Sequence, residues 1–174
     1  MTADRPQPPT DDPAQKYPDL DHEQYVERAL TLAREAGDRG DGPYGSLLVD
    51  PEAEGGPTVL AEARNATVTE SDLRAHPELT LAERAGRELD PTVRARTIMY
   101  TSTEPCPMCA GGIRIAGLAA VVHSVSAEHA ARLAGHDDVL PSREVYDRTG
   151  AAVDSLGPVL PEAGAAVHET YHDS

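Results

Sequence analysis

The chain has 174 residues, with 15 Lys and Arg against 30 Asp and Glu, for a formal net charge of −15. That balance excludes a broad nucleic-acid-binding face, which needs basic side chains to neutralise phosphate, and docking on anionic lipid. The length fits one domain that can bury a core without disulfide staples, and no apolar run is long enough for a transmembrane helix.

Phe and Trp are absent, so the core must come from Ala, Val, Leu and Ile, with six Tyr as the only aromatics. Residues 1–18 hold five prolines and no apolar stretch. They read as a disordered acidic arm, not a signal peptide. A core follows over 19–134, then an extension over 135–174 that packs on or caps it.

The first helix is expected over Asp21–Ala36. Tyr25, Val26, Ala29, Leu30, Leu32 and Ala33 recur at helical spacing there, and Gly37 offers a stop. Tyr44–Asp50 and Thr58–Ala63 read as a hairpin around the turn PEAEGGP. A helix runs from Pro77 to about Leu89, with Pro in the favoured first position. Then come a strand at Thr97–Thr101, a helix at Pro107–Gly117, a strand at Ala119–Ser124 and a short helix at Glu128–Leu133. Beyond Gly135 the pattern weakens. Pro141–Arg148 reads as a helical turn, Pro158–Leu160 as a short edge strand and Glu162–Tyr171 as a last helix. Strand–helix–strand units imply parallel crossovers, and the hairpin implies an antiparallel edge. The expected fold is therefore α/β, a three-layer α/β/α sandwich on a mixed sheet of about five strands.

Two motifs carry chemistry. His76-Pro77-Glu78 opens one helix, and Pro105-Cys106-Pro107-Met108-Cys109 opens another. One imidazole and two thiolates suit zinc and leave a fourth tetrahedral position for water, which is the catalytic pattern rather than the four-ligand structural one. Helix N-termini favour the thiolate form. Glu78, two residues past the histidine, can face the open position and shuttle protons. Neither motif is specific alone; the joint order and spacing match a zinc deaminase signature. There is no phosphate-binding glycine loop and no Gly-x-Ser-x-Gly elbow.

The stretch HPEL followed by TSTEPCPMCAGGIRIAG resembles the cytidine deaminase superfamily, nearest its guanine, fungal-type cytosine and tRNA adenosine deaminase branch. The motifs PYGSLLVD, RNATVT, HPEL and EPCPMCAGGI fall in the family's order between about Asp21 and Leu133. The resemblance implies that His76, Cys106 and Cys109 bind Zn2+, that Glu78 is the general acid/base and that Asn65 hydrogen-bonds the base. Tyr44 stands where the family more often has Phe, a change in pocket polarity, and Pro77 where Ala is commoner. Glu104 and Tyr44 join Asn65 as expected substrate contacts, although a carboxylate beside Cys106 also suits a structural hydrogen bond. The resemblance also implies a homodimer, and Tyr171 and Asp173 are expected to close the pocket.

Other histidines take plainer readings. His123 is expected in the core or at its rim, His129 and His136 on the surface or at the pocket mouth, and His168 with His172 on a solvated face. Met108 is expected to pack near the site. The expected function is hydrolytic deamination of a free nucleobase or nucleoside, guanine first and cytosine next. The alternatives are a tRNA-specific adenosine deaminase, disfavoured by charge, and a non-catalytic zinc-stabilised binding protein, disfavoured by Glu78. With no export signal and a reduced cysteine pair, the expected location is cytoplasmic.

Overall fold

The computed structural model describes residues 11–173, so the first ten residues of the expected arm lie outside the described residues. Residues 11–18 do not trail as an arm. Asp12 caps a helical turn, α1 (Pro13–Lys16), by accepting from the Ala14 amide. The Gly157 amide donates to Asp11 O at 2.8 Å, and Lys16 pairs with Asp154 at 2.7 Å.

Helix α2 (His22–Asp38) starts at Asp21, whose carboxylate accepts from the Gln24 amide, and it runs through Gly37. Strands β1 (Gly45–Asp50) and β2 (Thr58–Arg64) form the hairpin. Helix α3 (Pro77–Glu88), a short α4 (Pro91–Arg94), β3 (Ile98–Thr103), α5 (Pro107–Ala116) and β4 (Ala120–Val125) follow. The C-terminal part holds α6 (Ala127–Leu133), α7 (Ser142–Thr149), β5 (Asp154–Leu156) and α8 (Pro161–His172). The two short helices α1 and α4 carry too few residues for a periodic signal.

The five strands lie in the order β2-β1-β3-β4-β5. β1 is antiparallel to β2 and β3, while β3, β4 and β5 are parallel. The sheet is mixed, as the sequence predicts. Period-two alternation splits its side chains into two cores. Leu47, Val49, Ile98, Tyr100, Ala120 and Val122 meet Tyr25, Val26, Ala29, Leu30 and Ala33 of α2 and Val167 of α8. Leu48, Met99 and Val121 meet Leu81, Ala82 and Ala85 of α3, Ala110 and Ile113 of α5, and Tyr146 of α7. Strands β1, β3 and β4 are buried along their whole length, whereas β2 is a half-exposed edge.

The last strand differs from expectation. It is Asp154–Leu156, in register with Ala120–Val122, and not Pro158–Leu160. Pro158 has no N–H to give a ladder, and Gly157 turns the chain over His123 at φ 135°. Val159 still donates to His123 O, so the segment follows β4 without extending the strand.

Helix α2 lies close on β1. A Cβ on Gly45 would sit 2.5 Å from Ala29 O and 2.6 Å from Ala33 N, both helix backbone atoms that cannot swing aside. Gly45→Ala is therefore expected to push α2 off the sheet and cost about 1–3 kcal/mol, read as a lower urea midpoint. An unchanged midpoint would mean that α2 is not seated as described.

Candidate active site

The parallel strands β3 and β4 end at one edge of the sheet, where open α/β sheets place their ligands. Two helices start there. His76 occupies the N-cap of α3 and Cys106 the N-cap of α5, each followed by Pro at the first helical position. Neither side chain makes a capping hydrogen bond, so both donors remain available. Cys109 lies in the first turn of α5 and is fully buried.

His76 Nδ1 is 3.9 Å from Cys106 Sγ and 3.6 Å from Cys109 Sγ, and the three donor atoms all lie within 4.8 Å of one another. Zinc bonds of about 2.0–2.1 Å to nitrogen and about 2.3 Å to sulfur, at tetrahedral angles, put those donors roughly 3.6 Å apart. The residues fit the ion. The protonation pattern points the same way. Cys106 is drawn down to about 4 by the hydrogen bond from Cys109, against burial, and by His76. Cys109 is pushed up by the Cys106 thiolate and by burial. Two thiolates this close need a cation between them.

Glu78, in the first turn of α3, is 4% exposed and faces the same space. The Thr101 hydroxyl lies 3.0 Å from Glu78 Oε1 and receives the Ser46 hydroxyl at 2.9 Å, so β1 and β3 fix the carboxylate's direction. Burial raises the Glu78 carboxyl above the ordinary carboxylate range, with its own amide and Thr101 pulling it back.

These groups open into a cavity of about 290 Å³ lined by Tyr44 and Thr103 on one side and by Ala127, Ala130 and Ala131 of α6 on another. His136, Asp138, Val139 and Leu140 close it. The extension thus builds a wall, but through residues 136–140. Neither Tyr171 nor Asp173 lines the cavity of its own chain, and Tyr171 borders a groove with Ala33, Gly37 and Pro43.

The other expected contacts divide. Tyr44 lines the cavity. Glu104 borders it, but its carboxylate is occupied. Oε2 accepts from the Ala127 amide at 2.9 Å, and Oε1 accepts from the Ser142 amide and hydroxyl at 2.8 and 2.7 Å. Burial opposes the charge, yet these donors and neighbouring His123 hold the carboxyl below its usual range. Glu104 ties the starts of α6 and α7 together, the structural hydrogen bonding that a carboxylate beside Cys106 also suits. Asn65 is buried beside the cavity, not among its lining residues. Its Oδ1 accepts from Thr67 N and Oγ1, which leaves the amide N–H₂ as the group still free to reach a base.

The remaining expectations divide in the same way. Met108 is 37% exposed and is not among the cavity's lining residues. His136 is exposed and lines the cavity, as expected. His168 is buried, 2% exposed, because α8 packs against β4 and α6. Sequence reasoning missed Asp138, whose GHDDVL setting has no period, and Thr103, which falls just past the expected strand Thr97–Thr101. It also missed Asp41. The Asp41 carboxylate accepts from Val68 N, Thr69 N and Thr69 Oγ1 at 2.9–3.0 Å and so anchors the Asn65–Thr69 turn.

Comparison with known proteins follows the geometry. Residues 20–125 match the family model for the cytidine and deoxycytidylate deaminase zinc-binding region. The chain belongs to this family of zinc-dependent deaminases. It is 37% identical to guanine deaminase of Bacillus subtilis over 127 residues, covering 72% of this chain and 78% of that protein. It is 26% identical over 157 residues to a probable cytosine deaminase of Schizosaccharomyces pombe, covering 86% and 91%. Among solved structures, guanine deaminase from Nitrosomonas europaea superposes with a TM-score of 0.74 at 19% identity, covering 87% of this chain and 85% of that one. That likeness fixes the α/β/α fold. The chain is accordingly a hydrolase of C–N bonds in this deaminase family, with zinc as its cofactor. No helix among the described residues is long and apolar enough to cross a membrane.

Asp41 makes a pH-dependent contribution to stability. Burial raises its carboxyl, but the Thr69 and Val68 donors and Arg39 outweigh that and depress it below the ordinary aspartate value. A depressed folded value adds stability above the unfolded pKa, and that stability is lost as pH falls through the folded one. Asp41→Asn is expected to cost about 1–3 kcal/mol at neutral pH, with the gap in urea midpoint closing below the ordinary aspartate range. A gap independent of pH would contradict the anchoring role.

Proposed function

We propose that the protein hydrolyses the exocyclic amine of a free nucleobase, guanine first and cytosine next, releasing ammonia. The observation that carries the reading is a buried carboxylate, Glu78, set against one imidazole and two thiols at the floor of a small cavity. At about 290 Å³ the cavity lies at the low end of small-molecule sites, which suits one base better than a nucleotide.

Bound zinc supplies Lewis acidity and brings water's pKa towards neutrality. The chain's residues do the rest. Glu78 takes a proton from the attacking water as oxygen bonds to the amine-bearing ring carbon. It delivers that proton to the adjacent ring nitrogen, then helps protonate the nitrogen that leaves when the C–N bond breaks. Burial favours both halves of this work, since a carboxyl raised towards neutrality accepts and returns a proton readily. The alanine wall of α6 excludes water, and Asn65 offers amide donors to the base.

Asp138 favours guanine. The carbon that bears guanine's amine is flanked by a ring N–H, a donor that a carboxylate can accept. The matching carbon of cytosine is flanked by the nitrogen that Glu78 protonates and by a C–H, which offers a carboxylate no hydrogen bond. A homodimer in a reducing, cytoplasmic setting completes the reading: exposed Val68, Leu73 and Ile115 are apolar groups that a partner would cover, and the cysteine pair would stay reduced.

The test is ammonia release from guanine, cytosine, adenine, their nucleosides and a tRNA anticodon stem-loop. Guanine turnover is expected, with Glu78→Ala lowering kcat by at least about 10²–10⁴-fold at unchanged zinc content. Release from the stem-loop alone, or activity that survives Glu78→Ala, would overturn the proposal.

A further inference from the structure

Helix α8 reaches the cavity from behind. His168 does not line the cavity, but two of the groups that it meets do. Its Nε2 is 2.8 Å from Thr103 Oγ1, and its ring meets the Tyr44 ring edge-on with centroids 5.7 Å apart. Both the imidazole and the Thr103 side chain are buried, so the bond is shielded from competing water.

The helix that carries His168 is closely seated. A Cβ on Gly164, one turn earlier, would collide with Ser124 Oγ and Val125 Cγ2 of β4. The Ser124 hydroxyl donates to Leu160 O at the start of the same helix, at 2.9 Å. His172 stacks on His168 from the next turn, with centroids 6.4 Å apart. The position of the imidazole is thus set by packing.

Burial, together with His172 and His129, pushes His168 down to about 4, so its ring is neutral near pH 7. A neutral imidazole nitrogen is either a donor or an acceptor. If Nε2 accepts, the Thr103 hydroxyl gives its proton away from the cavity and offers only lone pairs to a bound ring. If Nε2 donates, Thr103 keeps its proton for the ring. Through one hydrogen bond, α8 decides whether this wall of the cavity asks the base for a donor or for an acceptor. A site whose polar wall is fixed in this way discriminates strongly between rings, because the wrong ring leaves a buried group unpaired.

We propose that Thr103 contacts the base and that His168 is a positioning residue, fixing the hydroxyl sense of Thr103 and the tilt of Tyr44, so that the C-terminal helix sets base selectivity. This rests on the nucleobase deaminase reading. It assigns α8 a part in binding, whereas the zinc donors and Glu78 carry the chemistry.

The test uses the full-length zinc-loaded enzyme with His168→Leu, His168→Gln, Thr103→Val, Thr103→Ser and the double variant His168→Leu/Thr103→Val. Zinc content and thermal midpoint accompany each variant. His168→Leu keeps the bulk and removes the hydrogen bond, while His168→Gln restores a polar atom near Nε2. His168→Leu and Thr103→Val are each expected to raise KM for guanine about tenfold while kcat moves less than about twofold, and to narrow the guanine-to-cytosine ratio of kcat/KM. His168→Gln and Thr103→Ser are expected to recover most of the loss, and the double variant to fall well short of the sum of the two single effects. Dissociation constants for guanine in a Glu78→Gln background give a second readout of the same variants and do not depend on turnover.

KM and selectivity unmoved by His168→Leu in a folded, zinc-replete enzyme would overturn the proposal, as would effects that simply add in the double variant. If His168→Leu fails to fold, His168→Gln and the two Thr103 variants decide the matter through KM and selectivity. Wild-type enzyme that neither binds nor turns over any free base would overturn the underlying function instead, and this inference with it.

Discussion

Two helices that must begin at the same point govern this molecule. The N-termini of α3 and α5 meet at the edge where β3 and β4 end, and each begins with a metal donor followed by proline. Proline sets φ for the first helical residue and surrenders an N–H that would have no partner there. The donor just before it is therefore carried on a backbone of fixed direction. The sheet holds the two starts together. Leu48, Met99 and Val121 lie beneath Leu81 and Ala85 of α3 and Ala110 and Ile113 of α5. A Cβ on Gly112 of α5 would come within 2.6 Å of Leu79 Cδ1 of α3. Separate the helices and the imidazole and thiols no longer converge.

Around that junction the two faces of the sheet serve different ends. The face under α3 and α5 carries the chemistry, through Thr101 to Glu78 and through the donors of both helices. The face under α2 and α8 carries packing, and α8 adds the His168 contact behind the cavity. Glu104 joins these parts. Its carboxylate takes the first amides of α6 and α7 and so ties the extension to the loop that holds Cys106. A charge buried beside a metal site is here satisfied by backbone donors, which is how an ionised carboxylate can remain inside a protein.

The core elements were legible because their residues obey one period at a time. The apolar spacing of α2 and the continuous buried runs of β1, β3 and β4 announce themselves within a few residues. His76, Glu78, Cys106 and Cys109 were legible because local spacing alone fixes them at helix starts. The cavity's far wall was not. Asp138 and Leu140 lie in a segment without period, and only the return of the chain after α6 brings them over the zinc donors. His168 and His172 share a helix face by spacing, but nothing local says that this face turns inward; the fit of Gly164 against β4 decides it. The expected last strand lies four residues too late because Val159 and Leu160 look more strand-like than Asp154 and Ser155. Pairing with Ala120–Val122 outweighs that preference.

The central claim is that His76, Cys106 and Cys109 hold one zinc ion with its fourth position open to solvent. Zinc X-ray absorption on the loaded protein tests it most directly. The expected spectrum has two sulfur neighbours at about 2.3 Å, one imidazole nitrogen at about 2.0–2.1 Å and one light-atom neighbour exchangeable with solvent. A closed shell of four protein ligands, or a single sulfur neighbour, would contradict the account.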